Sequence, residues 1–306
     1  MKAVMAIGLA LVSGVATGAG PAAMRGPTLR PAPIAEHRAT CAGKDGWSDA
    51  APPVRIFANV YDIGTCGITV LLVAGDRGAI VIDAATAEAA PGILANIRRL
   101  GLAPRDVRLL LSSHEHVDHA GGFAALARAT GATIVATAAE KPGLERGRPI
   151  AGDPQAGGSL PPFAPVRVGR VIRDGETIVL GSLRLTAHAT PGHAPGSTSW
   201  TWRSCAGVTC RRVAYADSVS AVSADGYRFV DHPAYVRRFR AALDRVAALP
   251  CDLIVTPHPG ASELYERLDG KAPLAAPNAC RDYAAAGQKA LDARLARERG
   301  GGRAGS

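Results

Sequence analysis

The sequence predicts one four-layer α/β domain. Three observations lead there: apolar strand candidates alternate with amphipathic helices in the first half, the alternation recurs in the second half, and no linker parts them. The chain has 306 residues, 47% of them hydrophobic, which suits a globular protein and excludes a disordered one. Lys and Arg total 35 against 26 Asp and Glu, a formal net charge of +9. Such a surplus favours solubility and mild attraction for anionic ligands. Aromatics make up only 5%, too few for a base-stacking surface, so no nucleic-acid partner is expected.

The elements follow in chain order. Met1-Lys2 precedes AVMAIGLALVSGVATGAG, a basic start, an apolar middle and small residues, which reads as a secretory signal over residues 1–20. Cleavage is expected between about residues 18 and 24, with no cysteine nearby to carry a lipid anchor. Residues 21–52, rich in Pro, Ala and Arg without periodicity, read as an extended arm. The domain proper runs over 53–300, with 301–306 (GGRAGS) as a tail. VRIFANVYDIG, ITVLLVA and GAIVIDAA are strand candidates separated by Gly turns. PGILANIRRLG places Ile93, Leu94, Ile97 and Leu100 at helical spacing and stops at Gly101. VRLLLSS is strand-like, a helix then places Phe123, Leu126 and Ala127 on one side, and ATIVAT is the next strand. GDPQAGGSLPPFAP (152–165) is a loop long enough to belong to a site edge. VGRVIRD, TIVLG, LRLTAHAT, STSWTWRS and RRVAYAD follow as strands. A helix begins at Pro233 after His232 and turns Tyr235, Phe239, Leu243 and Val246 inward. DLIVT is a strand, and Asn278 caps the final helix.

Six cysteines, all beyond the signal, allow fifteen pairings, and none has C-x-x-C spacing. Cys205 and Cys210 flank AGVT between two strand candidates and could face each other across a hairpin. A bridge from Cys251 to Cys280 would staple the last helix to the sheet, leaving Cys41 and Cys66 to tie the arm to a Gly-rich turn. Such bridges suit an oxidising compartment.

The chemistry concentrates in SSHEHVDHAGG. His114, His116, Asp118 and His119 crowd six positions directly after a buried strand, and imidazole with carboxylate is a zinc-type donor set. In extended chain His114 and His116 point the same way, while Asp118 and His119 fall where a helix starts and aim at a neighbouring point. Six positions can thereby feed two metal sites. The zincin pattern H-E-x-x-H fails because its fifth position is Asp118, and neither S-x-x-K nor G-x-S-x-G is present, so a serine nucleophile is disfavoured. His193 (ATPGHAPG) and His258 (IVTPHPG) each follow a strand and a Pro/Gly turn, and are further ligand candidates. His37 in the arm, His188 inside a strand and His232 at a helix cap are not.

The run H-x-H-x-D-H, then TPGH, YADS and a late TPHP, resembles the metallo-β-lactamase superfamily. The match is closest to subclass B3, and WSDAAPPVRIFANVYDIGTCGI, VIDAAT, STSWTWRSCAGVTCRRVAYADSVSA and the cysteine placement resemble its Adelaide imipenemase type over about residues 41–299. The resemblance implies an αβ/βα sandwich with two zinc ions in a groove at the sheet edges. His114, His116 and His193 would hold the first, and Asp118, His119 and His258 the second. The signal and the cysteines point to the periplasm, the lack of a long apolar seam makes a monomer the default, and the resemblance implies hydrolysis of the β-lactam amide of penicillins, cephalosporins and carbapenems through hydroxide held by zinc and oriented by Asp118. Asp83 would support the ligands from behind. Ser218 and Ser220 would meet the substrate carboxylate, and Gln155 the substrate itself. Glu115 is expected in solvent. Asp217 stands where related families place a bridging ligand, whereas subclass B3 leaves the adjacent serine off the metal, so both roles stay open. The same scaffold also carries lactonases and acyl-glutathione thioesterases. A non-catalytic zinc carrier is the rival from another class, and an iron oxidoreductase is disfavoured because its pattern has Glu at position 116.

Overall fold

Strands buried on both faces form the middle of the first sheet in the computed structural model, which describes Met1 and residues 29–300. The expected signal, the start of the arm and the tail lie outside the described residues. After α1 (Ile34–Thr40), the strands β1 (Val54–Phe57), β2 (Val60–Asp62), β3 (Leu71–Gly75) and β4 (Gly78–Ile82) pair antiparallel. Helix α2 (Ala90–Arg99) leads to β5 (Val107–Leu111), α3 (Val117–Ala120) and α4 (Phe123–Thr130) to β6 (Thr133–Thr137), and α5 (Lys141–Arg146) towards β7 (Arg170–Ile172). Strands β4 to β7 are parallel, as helical crossovers require. The second sheet holds β8 (Thr177–Leu180), β9 (Leu183–Ala189), β10 (Thr198–Ala206), β11 (Thr209–Tyr215) and, after α6 (Pro233–Ala247), β12 (Leu253–Val255). Helices α7 (Leu264–Leu268) and α8 (Ala279–Gly300) complete the chain.

Alternate strand residues face alternate layers. Ile80, Ile82 and Leu111 meet Leu185, Trp200 and Tyr215 between the sheets. Val81 and Leu110 instead face outward, against Ile93 and Ile97 of α2 and Phe123 and Leu126 of α4. On the far side Ala214 and Ile254 meet Phe239 and Leu243 of α6 and Ala284 and Leu291 of α8. The result is the expected αβ/βα sandwich.

Two local expectations change. Part of the arm is helical: α1 is docked by the buried His37, whose Nδ1 lies 2.8 Å from the Pro52 carbonyl, and by Arg38 at 2.8 Å from Glu266. Helix α5 lies in a segment to which sequence reasoning assigned no element; Pro at the helix start and burial of Leu144 make it tolerable despite Gly143.

The structure joins Cys41 to Cys66, Cys205 to Cys210 across the β10–β11 hairpin, and Cys251 to Cys280. The last closes a loop of 29 residues, worth about 3.5 kcal/mol in the chain-entropy account. Replacing both cysteines with serine should lower the urea midpoint accordingly, while a similar change at the five-residue Cys205–Cys210 loop should cost less.

Candidate metal centre

Strands β4, β5, β9, β11 and β12 all end at one edge of the sandwich, and each delivers a polar residue there: Asp83, the 112–119 segment, His193, Asp217 and His258. Both sheets pin the 112–119 segment. The Ser113 amide donates to Asp83 Oδ1 at 2.7 Å and its hydroxyl to Oδ2 at 2.8 Å; Trp200 Nε1 donates to the Ser112 carbonyl at 2.9 Å. His116 then becomes the N-cap residue of α3, which swings Asp118 and His119 round the corner. The two glycines that follow are needed for closeness: a Cβ on Gly122 would lie 2.2 Å from the Ala84 carbonyl oxygen.

Two donor clusters result. Asp118 Oδ2 lies 3.1 Å from His119 Nε2 and 3.3 Å from His258 Nε2, and the two imidazole nitrogens are 3.3 Å apart. Ligands about 2.0–2.1 Å from a tetrahedral ion lie about 3.3 Å from one another, so these three atoms already outline one face of a coordination shell. His114, His116 and His193 form the second cluster, with one donor atom from each within 4.8 Å of the others. His114 Nε2 is buried without any hydrogen-bond partner, as a ligand nitrogen would be before its cation is counted.

The other nitrogen of four imidazoles faces away from the centre, towards an oxygen. His114 Nδ1 donates to Asp217 at 2.9 Å, His116 Nε2 to Asp153 at 2.9 Å, and His193 Nδ1 to the Ser220 carbonyl at 2.9 Å. His119 Nδ1 lies 3.4 Å from Asp83. Such contacts select the tautomer whose free nitrogen looks inward. Burial, and repulsion from His119 and His116, hold His114 well below the usual imidazole range. Burial with His114 and His116 lowers His193 to about 3. Both rings are therefore neutral and able to bind a cation. Burial opposes charge on Asp118, but the field of the protonated His119 and hydrogen bonds from His119 and His258 outweigh it and keep its pKa well below the usual carboxylate range; without metal, Asp118 and Asp83 in turn outweigh burial and raise His119 to about 10, a proton that a bound cation displaces. The donor set thus fits divalent metal of the zinc type.

Other site residues fall around this centre. Asp217 contacts His114 from behind, on the nitrogen opposite the centre. Gln155 Nε2 lies 3.4 Å from both His116 Nδ1 and His193 Nε2, at the mouth of a groove of about 390 Å³. Ser220 lines that groove and its hydroxyl lies 3.0 Å from His193 Nδ1; Ser218 is buried and does not line it. His188 is apart from the centre, at 2.7 Å from the Thr201 hydroxyl.

Glu115, expected in solvent, is instead fully buried. Its position between two inward-pointing histidines turns it the opposite way, beneath α5, where a Cβ on Gly143 would lie 2.6 Å from its Cγ. Glu140 is buried beside it, and all four carboxylate oxygens lack a hydrogen-bond partner. Burial, with Asp83 and Asp217 nearby, pushes Glu140 up to about 8. The folded chain therefore keeps a proton there that the unfolded chain releases near its ordinary value of 4.5. The resulting stability is complete below that value and is lost as pH rises through about 8. Glu140→Gln should flatten the fall in unfolding free energy of metal-free protein between about pH 5 and about pH 8.5, as read from urea titrations.

Sequence reasoning missed Asp153, although it falls in the loop flagged as a site edge, and did not single out Trp47, which lines the groove and is 41% exposed. An aromatic isolated in a Gly- and Asp-rich stretch was the available signal.

The family model described as the metallo-beta-lactamase superfamily matches residues 63–258. The fold is similar to that of the metallo-β-lactamase MIM-1 from Novosphingobium pentaromativorans, with 50% identity, 90% of this chain and 100% of that chain covered, and a TM-score of 0.84. It is also similar to MEM-A1, a subclass B3 metallo-β-lactamase from a soil metagenome library, with 39% identity, coverage of 83% and 99%, and a TM-score of 0.80. Among curated proteins, a hydroxyacylglutathione hydrolase of Anaeromyxobacter dehalogenans (strain 2CP-C) is 32% identical over 139 residues, covering 45% of this chain and 43% of that relative. The chain spans less than half the length of the curated relatives it matches.

Proposed function

Because the chain belongs to the metallo-β-lactamase superfamily, we propose that it is a zinc-dependent β-lactamase of subclass B3, near the Adelaide imipenemase type, acting on penicillins, cephalosporins and carbapenems. The observation that carries this reading is the pair of converging donor clusters, with His114, His116 and His193 assigned to one zinc and Asp118, His119 and His258 to another. Zinc when bound supplies Lewis acidity and lowers the pKa of water towards about 7.

The protein's own residues do the rest. Asp153, Asp217 and the Ser220 carbonyl fix three imidazoles by hydrogen bonds, and Asp83 lies against His119, so that each presents its ligand nitrogen inward. Asp118, ionised and open to the groove, accepts a proton contact from the attacking water and orients it. Gln155, at the groove mouth, meets the β-lactam, and Ser220 offers its hydroxyl to the substrate carboxylate. Ser218, assigned the same carboxylate from the sequence, is buried and outside the groove lining, so Ser220 carries that contact.

Export to the periplasm fits the N-terminal apolar run and the three disulfides. Among the described residues no helix is long and apolar enough to cross a membrane. We assign a monomer without membrane anchor or nucleic-acid partner.

The partial similarity to hydroxyacylglutathione hydrolases supports a second reading, cleavage of an acyl-glutathione thioester on the same metals. Incubating zinc-loaded protein with a chromogenic cephalosporin and with such a thioester separates the two. Turnover of the cephalosporin alone supports the first reading; turnover of the thioester alone contradicts it.

A further inference from the structure

The groove wall from Asp217 to Val230 has almost no regular structure: residues 216–228 form neither helix nor strand, yet they carry Ser220 and the lining residues Val222, Ser223 and Ala224. A segment so irregular needs support from outside itself. The final helix supplies it in chain order. Tyr283 donates its hydroxyl to the Asp217 carbonyl at 3.2 Å, and Gly287 lets Val219 approach so closely that an added Cβ would sit 2.8 Å from the valine Cβ. Arg294 donates through Nη2 to the Ser223 hydroxyl at 3.0 Å and reaches the Tyr227 carbonyl at 3.5 Å. Glu298 accepts from the Val230 amide at 3.0 Å and holds Arg294 Nε at 2.5 Å. At 1.5 Å per residue, Tyr283 to Glu298 spans about 22 Å, so the helix runs along the whole wall.

We propose that α8 is a splint that sets the position of the groove wall, and that Arg294 is the positioning residue that sets how tightly substrate is held. Arg294 does not line the groove; it acts through Ser223, which does. The wall is in turn tied to the opposite loop, since the Ala224 amide donates to the Pro154 carbonyl at 2.8 Å, beside Gln155. Displacing Ser223 therefore shifts both sides of the groove mouth. A fork of donors suits this task, because one guanidinium bonds the hydroxyl, the carbonyl and the carboxylate together. The inference rests on the β-lactamase reading for its substrate, but the splint itself is observable without one.

In the zinc-loaded full chain, Arg294→Ala should raise KM for β-lactams about three- to tenfold, the loss of one or two hydrogen bonds. Metal content and kcat should stay near those of the parent, and amides of Ser223 to Tyr227 should exchange faster with deuterium. Arg294→Lys, which keeps one donor, should recover part of the KM. Should Arg294→Ala fail to fold, Glu298→Gln releases the same fork more gently and should move KM and exchange in the same directions. Unchanged KM despite faster exchange would make Arg294 a merely structural strut and overturn the proposal, as would unchanged exchange. If the parent turns over no β-lactam, the functional reading fails, and the exchange comparison alone decides the splint.

Discussion

His116→Ala is expected to strip metal from the protein and to reduce the proposed carbapenem hydrolysis by at least about a thousandfold, since several kcal/mol of transition-state stabilisation go with the ion. The histidine is buried, its Nε2 is held by Asp153 at 2.9 Å, and its Nδ1 faces the centre. Removing the ring leaves two imidazoles of a three-imidazole cluster and abandons the Asp153 carboxylate without its donor. Such a loss should be read twice, by metal analysis and by turnover of imipenem. His188→Ala is the control: this ring bonds Thr201 within the second sheet, so neither reading should move.

A second large effect is expected at Asp83. Its carboxylate accepts the Ser113 amide, the Ser113 hydroxyl and the Tyr215 hydroxyl, the last at 2.7 Å, and lies 3.4 Å from His119. Asp83→Ala would take the acceptor from three buried donors, of which the Tyr215 hydroxyl still reaches the Thr69 carbonyl at 3.0 Å, at about 1–3 kcal/mol for each one left unsatisfied. The residue also sits at φ 66°, a left-handed conformation that Asp tolerates better than Ala does. Chemical denaturation should therefore show a loss of several kcal/mol, about 3–6 if the site relaxes in part. Metal affinity should fall about 10- to 100-fold as His119 loses its support. Asp83→Asn, which keeps an acceptor oxygen, should recover part of the stability and little of the affinity.

Much of this architecture was legible because it rests on local periodicity. Ile80, Ile82 and Val81 alternate between layers as strand residues must, and Tyr235, Phe239, Leu243 and Val246 are all buried along one helix. The metal-type residues were legible for the same reason: two of them alternate in extended chain and two fall on the first turn of a helix. What escaped depends on long-range partners. Asp153 and Glu140 have no periodic signature; their roles appear only when a loop and a helix from elsewhere in the chain close over the histidines. Glu115 was misread because its burial comes from α5, a segment distant in sequence that packs over it. The splint of α8 on the groove wall is similarly invisible in sequence, since Arg294 looks like one of many solvated arginines on a basic chain.

The most direct measurement combines elemental analysis of the purified protein with imipenem hydrolysis before chelation, after exhaustive removal of metal, and after zinc is restored. The account predicts about two zinc ions per chain, turnover that disappears with them, and recovery on reloading. Turnover that survives complete metal removal, or none in the fully loaded protein, would contradict it.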